Sequence, residues 1–432
     1  MPEETAPVTS RLPAPRFSAA WCVIAAFGAY FCMYAFRKPF TAGAYADASW
    51  HGVAFKTLLV AAQVLGYTVS KFLGIKYIAE IRPGRRVFAL LVLIGFAEIS
   101  LFFFGIVPAP YNLICLFFNG LPLGMVFGLV LGFLEGRRQT EALTAGLCAS
   151  FIIADGVTKS VGAGLLAAGV PEVWMPFLAG LLFVAPLLLF AWMLSRVPPP
   201  NAADVVARSE RAPLNSAERW RLFRRYALGL ILIIILYLAV TVLRSVRADF
   251  APEIWSGLGT TGQPNVYAVS EILVAVTVLS LCALAVFIRD NRTAFFTALG
   301  LSGLGLLVVA LALTLLQNGM INAFTFMVLH GLGLYLPYVA IHTTIYERLI
   351  AMTRDRGNIG YLMYLADAFG YLGYVAVMIA RNFLSSQEKF LEFFLWLSWV
   401  IVAVGLPILV PVFWYFATHP ATRRATPVSV HS

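Results

Sequence analysis

The chain of 432 residues is 60% hydrophobic and 12% charged, and its mean hydropathy is +0.84. Soluble domains carry roughly 25% charged residues, so this composition excludes a soluble globular protein and indicates an integral membrane protein. The net charge of +10 is explained by basic loops that face the cytoplasm and anionic lipid. We therefore expect the lipid bilayer, and no nucleic acid, as a partner.

About twelve apolar runs, of about 20 residues each, are long enough to cross a bilayer. They start near Phe17, Val53, Val87, Tyr111, Leu143, Val173, Tyr226, Val266, Thr293, Ile321, Gly360 and Phe390. When both termini are cytoplasmic, the basic connections at 76–86, 137–138, 289–292 and 348–356 all lie inside, as the positive-inside rule requires. This pattern predicts a multi-pass protein of the inner (plasma) membrane with both termini in the cytoplasm.

A polar stretch between the sixth and seventh runs divides the sequence in two, and its composition is that of a linker. The first run follows a polar leader without a small-residue cleavage site, so we predict no removable signal peptide. The predicted divisions are a cytoplasmic leader 1–16, a six-helix bundle 17–194, a cytoplasmic linker 195–225, a second six-helix bundle 226–417 and a cytoplasmic tail 418–432.

The first half of the sequence repeats in the second. At a spacing of 207 residues, Arg37 aligns with Arg244 and the run 81–88 aligns with 288–295. Two further pairs align at a spacing of 212 residues: Glu135 with Glu347, and Asp155 with Asp367. Related six-helix halves joined by a linker are the layout of major facilitator transporters, whose substrate sites lie near the midplane between the halves. We predict this all-α fold, with twelve transmembrane helices in two pseudo-symmetric six-helix bundles.

Short motifs in four of the predicted spans point to one transporter family. They are Tyr-Ala-Phe-Arg-Lys-Pro-Phe at 34–40, Gly-Tyr-Thr-Val-Ser-Lys-Phe at 66–72, Val-Leu-Arg at 242–244 with Asp-Phe-Ala-Pro at 249–252, and Phe-Gly-Tyr-Leu-Gly at 369–373. These motifs resemble the organophosphate:phosphate antiporter branch of the major facilitator superfamily, the glycerol-3-phosphate transporter-like proteins. The resemblance implies that Arg37 and Arg244 hold a phosphate and that Lys71 assists. Lys159 stands where that family has a span-five histidine, which leaves the substrate and the coupling open.

Four cations in the predicted spans are candidates for substrate binding, because a charge in the bilayer needs a partner, a wet cavity or a ligand. Arg37 and Arg244 offer planar forks that bind phosphate or carboxylate oxygens, whereas Lys71 and Lys159 are point charges without counterparts in the second half. Two alternatives stay open: Arg37 is a snorkelling anchor at the interface, or Arg247 takes the place of Arg244. Against the anchor, the segment 39–45 is apolar enough to prolong the first helix.

Carboxylates in the spans are predicted to serve coupling or gating. Asp155 lies one helical turn before Lys159, so the two form either an ion pair within the helix or a switch in which an anion or a proton disrupts that pair. Asp367 and Glu271 are candidates for proton coupling. Two more are predicted to form gate-closing or loop-bracing salt bridges at the cytoplasmic ends of spans four and ten: Glu135 and Glu347.

The remaining candidates are aromatic and imidazole side chains that can line a cavity: Tyr34, Tyr67, His330, Tyr338 and His342. The five cysteines lie in apolar runs without disulfide or metal spacing, and the sequence contains no nucleotide loop or nucleophile motif. We therefore expect no enzyme, catalytic residue, cofactor or metal. The predicted function is exchange of a small organic anion, a phosphorylated metabolite, for phosphate by alternating access, carried out by a monomer. A proton-coupled carrier of a carboxylate or sugar, and a non-transporting sensor with the same fold, are the alternatives.

Overall fold

The protein is built almost entirely from membrane-length helices. The computed structural model describes residues 19–46, 49–50, 53–81, 83–134, 140–198, 216–260, 264–286, 288, 290–353, 359–384 and 390–423. Its long helices are α1 Ala19–Ala35, α2 Phe55–Glu80, α3 Arg86–Ile106, α4 Leu113–Leu131, α5 Thr140–Ala167, α6 Met175–Ser195, α7 Ala227–Asp249, α8 Asn265–Val286, α9 Asn291–Gln317, α10 Ala323–Ala340, α11 Ile359–Leu384 and α12 Phe390–Thr418. Each begins within three residues of its predicted start, because the length of an apolar run is a local property of the chain. The prediction of twelve helices in an all-α membrane fold is confirmed.

Two of the helices are interrupted or extended by other helical turns. α1 is followed by a 3-10 turn at Pro39–Ala42, and α10 continues through a π-helical turn at Ile341–Ile345 into a helix at Tyr346–Thr353. Among the described residues, eleven helical segments are long and apolar enough to cross a membrane, and α1 adds a shorter apolar stretch at Ala20–Ala35. π-helical turns concentrate at functional sites, so the turn at Ile341–Ile345 is a candidate position for such a site.

The bundle has two ends, which are named here by the elements that mark them. The helix Ser216–Arg225 lies between α6 and α7 and marks the linker end. The two-residue strands Ser49–Trp50 and Val53–Ala54 pair antiparallel between α1 and α2 and mark the hairpin end. A helix at Ala251–Gly257 follows α7 at this end. Consecutive spans run in alternate directions, so α2 and α8 run from the hairpin end to the linker end, whereas α5 and α11 run the opposite way.

Two six-helix halves meet along two seams. In the first half α1 packs on α4, α5 and α6, and in the second half α7 packs on α10, α11 and α12. Across the halves, α2 packs on α11 and α5 packs on α8; these contacts are called the α2–α11 seam and the α5–α8 seam. The sequence repeat relates α2 to α8 and α5 to α11. The two seams are therefore pseudo-symmetric equivalents, and differences between their side chains are informative.

Glycines bring α2 and α4 into close contact within the first half. A Cβ atom added to Gly120 would lie 2.0 Å from the backbone oxygen of Gln63, and one added to Gly66 would lie 2.1 Å from that of Phe117. Atoms cannot approach this closely, so the two helices pack backbone against backbone, as small residues permit in membrane proteins. This contact holds α2 in place, and α2 carries Tyr67 and Lys71.

We expect Gly120→Ala to lower the free energy of unfolding by about 1–3 kcal/mol, because the added methyl group forces α2 and α4 apart. The higher helix propensity of alanine, worth ~1 kcal/mol, opposes this loss. The matched control is Gly95→Ala in α3, where a Cβ atom meets nothing within 4 Å. Thermal unfolding in detergent compares the two variants, and equal stability would contradict close packing at Gly120.

Candidate functional site

A break at the end of α1 places Arg37. The helix ends at Ala35, and a 3-10 turn follows at Pro39–Ala42. Proline lacks the backbone N–H that would continue the helix, and it disfavours helical geometry in the residue before it. The prediction that the segment 39–45 prolongs the α-helix is therefore wrong, and Arg37 lies in the turn between two helical segments.

Buried amide side chains hold this turn. Gln63 donates from Nε2 to the backbone oxygen of Arg37 at 2.9 Å and to Oδ1 of Asn119 at 2.7 Å. Asn119 donates from Nδ2 to the backbone oxygen of Phe36 at 2.9 Å. The end of a helix leaves backbone oxygens without partners, and here α2 and α4 supply the donors. These bonds fix the point from which the Arg37 side chain extends.

The Arg37 side chain lies between the two halves. It is 4% exposed, and its Cζ atom lies 3.9 Å from the ring centre of Tyr67 in the first half and 5.8 Å from that of Tyr371 in the second. Tyr34 is a third aromatic neighbour, at 5.9 Å. A snorkelling anchor would instead extend towards the interface, so this burial contradicts the anchor alternative.

Arg244 reaches the same place from the second half. Its Cζ atom lies 4.4 Å from the ring centre of Tyr338 in α10, and Nη2 donates to the hydroxyl oxygens of Tyr371 and Ser245, at 3.3 Å in each case. Tyr371 therefore contacts Arg37 with its ring and Arg244 with its hydroxyl group. We call Arg37 and Arg244 the arginine pair. The two arginines that the repeat aligns therefore contact the same tyrosine from opposite halves.

Neither member of the arginine pair forms an ion pair with a carboxylate in the part of the chain that the structure describes. The Nε atoms of Arg37 and Arg244 are both buried without a hydrogen-bond partner there. Aromatic rings stabilise a guanidinium group by about 0.5–2 kcal/mol, which is less than the desolvation that burial requires. The pair therefore retains donors for a ligand.

Five other buried cations each face a carboxylate. The ion pairs are Lys38 with Asp249 and Asp155, Lys56 with Glu253, Lys71 with Asp367, Lys159 with Asp155, and Arg247 with Glu271. These five cations are matched by five carboxylates, because Asp155 and Asp249 together serve Lys38 and Lys159. The arginine pair is thus left with two positive charges that the paired groups do not balance.

Lys71, a predicted ligand residue, is neutralised across the α2–α11 seam. Its Nζ atom lies 2.7 Å from Oδ2 of Asp367. Oδ1 of Asp367 accepts a hydrogen bond from Tyr237 and lies 3.6 Å from Nε2 of His342. His342 belongs to the π-helical turn of α10, and its Nδ1 lies 3.0 Å from the backbone oxygen of Tyr338. Asp367 is therefore a junction between a cation of one half and polar groups of the other.

Lys159 and Asp155 form the predicted ion pair within α5. The structure adds two residues that sequence reasoning missed: Lys38, whose Nζ lies 3.7 Å from Oδ1 of Asp155, and Asp249, which pairs with Lys38 across the halves. Tyr374 donates to Oδ2 of Asp249 at 3.0 Å. A signal for the missed pair existed, because Lys38 follows α1, Asp249 ends α7, the repeat relates these two helices, and the two residues carry opposite charges.

Arg247 forms an ion pair and a hydrogen bond within the second half, whereas Arg244 has no carboxylate partner among the described residues. Nη1 donates to Oε1 of Glu271 at 2.6 Å, and Nη2 donates to the backbone oxygen of Met327 at 2.9 Å. Arg244, one helical turn earlier, faces the tyrosines instead. The geometry favours Arg244 over Arg247 as the counterpart of Arg37.

The remaining candidates from the sequence are His330, Glu347 and Glu135. His330 bonds to Ser398 at 3.0 Å and packs on Phe394, as a structural histidine does. Glu347 is 9% exposed in the helix Tyr346–Thr353, and Glu135 lies outside the described residues. The structure also reveals Glu98 in α3, whose two carboxyl oxygens are buried without a hydrogen-bond partner among the described residues, against Gly180 of α6.

Comparisons with known proteins give one matching family and a similar solved structure. A family model described as a family of unknown function (DUF5690) matches residues 39–419. No curated protein matches the sequence. A crystal structure of a D-xylose-proton symporter is similar to this chain, with a TM-score of 0.60 and 14% sequence identity over 91% of this chain and 96% of the symporter chain. This likeness shows the major facilitator fold predicted from the repeat.

Proposed function

This chain belongs to the family of unknown function DUF5690, and we propose that it is a secondary transporter of a small organic anion that works by alternating access. The observation that carries the proposal is the arginine pair. Two guanidinium groups, one from each half, meet at Tyr371 without a carboxylate partner among the described residues. An anion bound there supplies the missing negative charge and the acceptors for both Nε atoms.

The charge of the site favours a dianion. A phosphate monoester or a dicarboxylate matches two guanidinium groups in charge and offers planar pairs of oxygens for their forks. Exchange of a phosphorylated metabolite for phosphate is the specific form that the motif resemblance supports. The surrounding tyrosines, Tyr34, Tyr67 and Tyr338, give the site aromatic walls and hydroxyl groups for the rest of the substrate.

Alternating access requires contacts between the halves that break and re-form. Lys71 and Asp367 supply one such contact in the linker-end part of α2 and α11. Near the hairpin end, Lys38 pairs with Asp249, and Nζ of Lys56 lies 2.5 Å from Oε1 of Glu253. Along α7, Arg244 lies between Tyr237, which bonds to Asp367, and Asp249, which pairs with Lys38. Ion pairs on both sides of a central anion site are suited to closing each side in turn. We propose that the protein lies in the inner (plasma) membrane with the linker in the cytoplasm.

A proton-coupled carrier is the second candidate. The specific observation in its favour is the junction at Asp367, where a lysine, a tyrosine and a histidine meet one carboxylate. Protonation of that carboxylate would release Lys71. The similar solved structure is that of a sugar-proton symporter, so a carboxylate or sugar carried with a proton is the substrate class under this alternative.

Thermal stabilisation of the purified protein tests the proposal. We expect phosphate monoesters and dicarboxylates to raise the unfolding temperature, since a ligand that binds the folded state stabilises it by mass action. Neutral sugars are expected to give no shift. Arg37→Gln and Arg244→Gln should each abolish the shift, whereas Arg292→Gln, at the start of α9, should retain it.

Two outcomes would contradict the anion proposal. One is a shift with sugars but none with anions, which would support the sugar carrier. The other is an anion shift that survives both arginine substitutions, which would place the anion elsewhere. A stabilising anion that does not move into proteoliposomes would indicate the non-transporting sensor.

A further inference from the structure

A cleft at the hairpin end of the first half is lined by neither arginine of the arginine pair. Its volume is about 430 Å³, and its walls come from the chain after α1, the start of α2, the end of α3 with the turn that follows, and the loop between α5 and α6. A volume of roughly 300–1,000 Å³ is typical of small-molecule sites. Four of the lining side chains have the chemistry to recognise a ligand: Tyr45, Phe55, Asn112 and Glu172.

Glu172, in the loop between α5 and α6, is held in place by the chain that follows α1. The backbone N–H of Ala44 donates to Oε1 of Glu172 at 2.7 Å, and the backbone N–H of Tyr45 donates to Oε2 at 2.8 Å. Tyr45 has a φ of 51°, a left-handed conformation that residues with a Cβ atom rarely adopt. The carboxylate therefore fixes an unfavourable turn of the chain, and its own position in the wall of the cleft is fixed in return.

The negative charge of Glu172 is not balanced by a neighbouring cation. Among the described residues, no lysine or arginine forms an ion pair with it. The residues that line the cleft include no other charged side chain. Backbone N–H groups supply hydrogen bonds but no net charge, and each carboxylate oxygen can accept a second bond. The cleft thus offers a charge and acceptors to a cationic ligand.

Asn112, directly before α4, supplies a second acceptor. Its side chain is 1% exposed, and Oδ1 is buried without a hydrogen-bond partner in the described part of the chain. An acceptor in this state costs free energy until a donor reaches it. The terminal torsion of asparagine is broad, so rotation of the amide can turn this oxygen towards the cleft. A ligand with N–H groups would satisfy it, whereas a quaternary ammonium group, which has none, would not.

The rest of the wall is aromatic and apolar. Tyr45 and Phe55 both line the cleft, and aromatic rings attract ammonium groups. The segment 105–109 adds glycine, proline and aliphatic side chains, which suit the carbon atoms of a ligand. Ca²⁺ and Mg²⁺ need about six or more oxygen ligands, and the side chains of this wall supply them only from Glu172, Asn112 and Tyr45. The lining therefore favours an organic cation over a metal ion.

We infer that this cleft binds a primary ammonium group, at a site separate from the arginine pair. The ammonium group lies against Glu172, donates to its carboxylate and to Oδ1 of Asn112, and packs on the two aromatic rings. A small soluble amine and the headgroup of an ethanolamine phospholipid share this chemistry. All the lining residues belong to the first half, so binding does not require the two halves to meet.

Thermal unfolding of the purified protein with ethanolamine hydrochloride tests the inference. We expect ethanolamine to raise the unfolding temperature, since a ligand of the folded state stabilises it. Choline chloride at the same concentration matches its charge and ionic strength but has no N–H donor on nitrogen, so it should give no comparable rise. Glu172→Gln should weaken ethanolamine binding by about ten- to a hundredfold, because hydrogen bonds to charged groups are the strong ones. Asn112→Ala should also weaken it, and this variant keeps the test open if Glu172→Gln does not fold.

The matched control is Glu98→Gln, which removes another carboxyl group of the first half, outside the cleft, and should retain the ethanolamine shift. Nanodiscs with and without phosphatidylethanolamine in phosphatidylcholine distinguish the two sources of the amine. A higher unfolding temperature with phosphatidylethanolamine that is lost in Glu172→Gln identifies the lipid headgroup, and a shift with ethanolamine alone identifies a soluble amine. The inference is overturned if neither probe stabilises the protein, if choline stabilises it equally, or if the shift survives in both site variants.

Discussion

Arg244→Gln is expected to lower the affinity of the protein for an anionic substrate by about ten- to a hundredfold, because hydrogen bonds to charged groups contribute about 1.5–3 kcal/mol each. The substitution keeps a polar side chain of similar length beside Tyr338 and Tyr371 but removes one of the two uncompensated charges. Arg37→Gln should have a similar effect from the other half. Titration with the most stabilising phosphate monoester, followed by calorimetry, measures both dissociation constants.

Lysine at the same position separates charge from geometry. Arg244→Lys keeps a positive charge but loses the planar fork, so we expect an affinity between that of the native protein and that of Arg244→Gln. If lysine restored full affinity, the site would need a positive charge and no bidentate contact. If lysine and glutamine were equally weak, the fork itself would be required.

Stability without ligand gives an independent check, because the two neighbouring arginines of α7 differ in their partners. Arg247→Gln leaves Glu271 as an unpaired buried charge and should lower the free energy of unfolding by about 3–5 kcal/mol. Arg244→Gln leaves no carboxylate unpaired and should cost far less, since only aromatic contacts are lost. Equal destabilisation of the two variants would contradict the assignment of Arg244 as the free arginine.

The fold was predictable from the sequence because its determinants are local. Apolar runs give the twelve helices, and the repeat gives the two halves. Arg37 and Arg244 were identifiable for a related reason, since a charge inside an apolar run is conspicuous and the repeat aligns the two. Their shared contact with Tyr371 required the structure.

Partners across the halves were not predictable, because they depend on how the bundles pack. The sequence allows Lys159 to pair with Asp155 but offers no partner for Lys71, and packing gives Lys71 to Asp367. Lys38 directly follows Arg37 in the sequence, so the motif does not separate its role from that of the arginine. The packing of Gly156 on Glu271 depends on the closeness of α5 and α8, which no spacing in the chain reveals.

Lys71→Met is expected to lower the free energy of unfolding by about 3–5 kcal/mol, because it leaves Asp367 as an unpaired charge between the halves. Asp367→Asn should also destabilise the protein, since Lys71 then has only aromatic neighbours, with the ring centre of Tyr364 at 4.7 Å from Nζ. The double variant should recover most of the loss, because an apolar side chain and a neutral amide need no counter-charge. A double-mutant cycle on thermal or denaturant unfolding in detergent measures the coupling.

The Lys56–Glu253 pair provides the matched control for this cycle. It also joins the two halves, but Glu253 has a side chain that is 29% exposed, against 6% for Asp367. Water screens the more exposed carboxylate, so Lys56→Met should cost about 1 kcal/mol or less. If both lysines gave the same loss, the burial of the carboxylate would not distinguish the energies of the two contacts. If the double variant were no more stable than Lys71→Met, the loss would come from packing around the lysine stem. A coupling energy confined to Lys71 and Asp367 would instead identify this ion pair as a contact that stabilises the packing of α2 on α11.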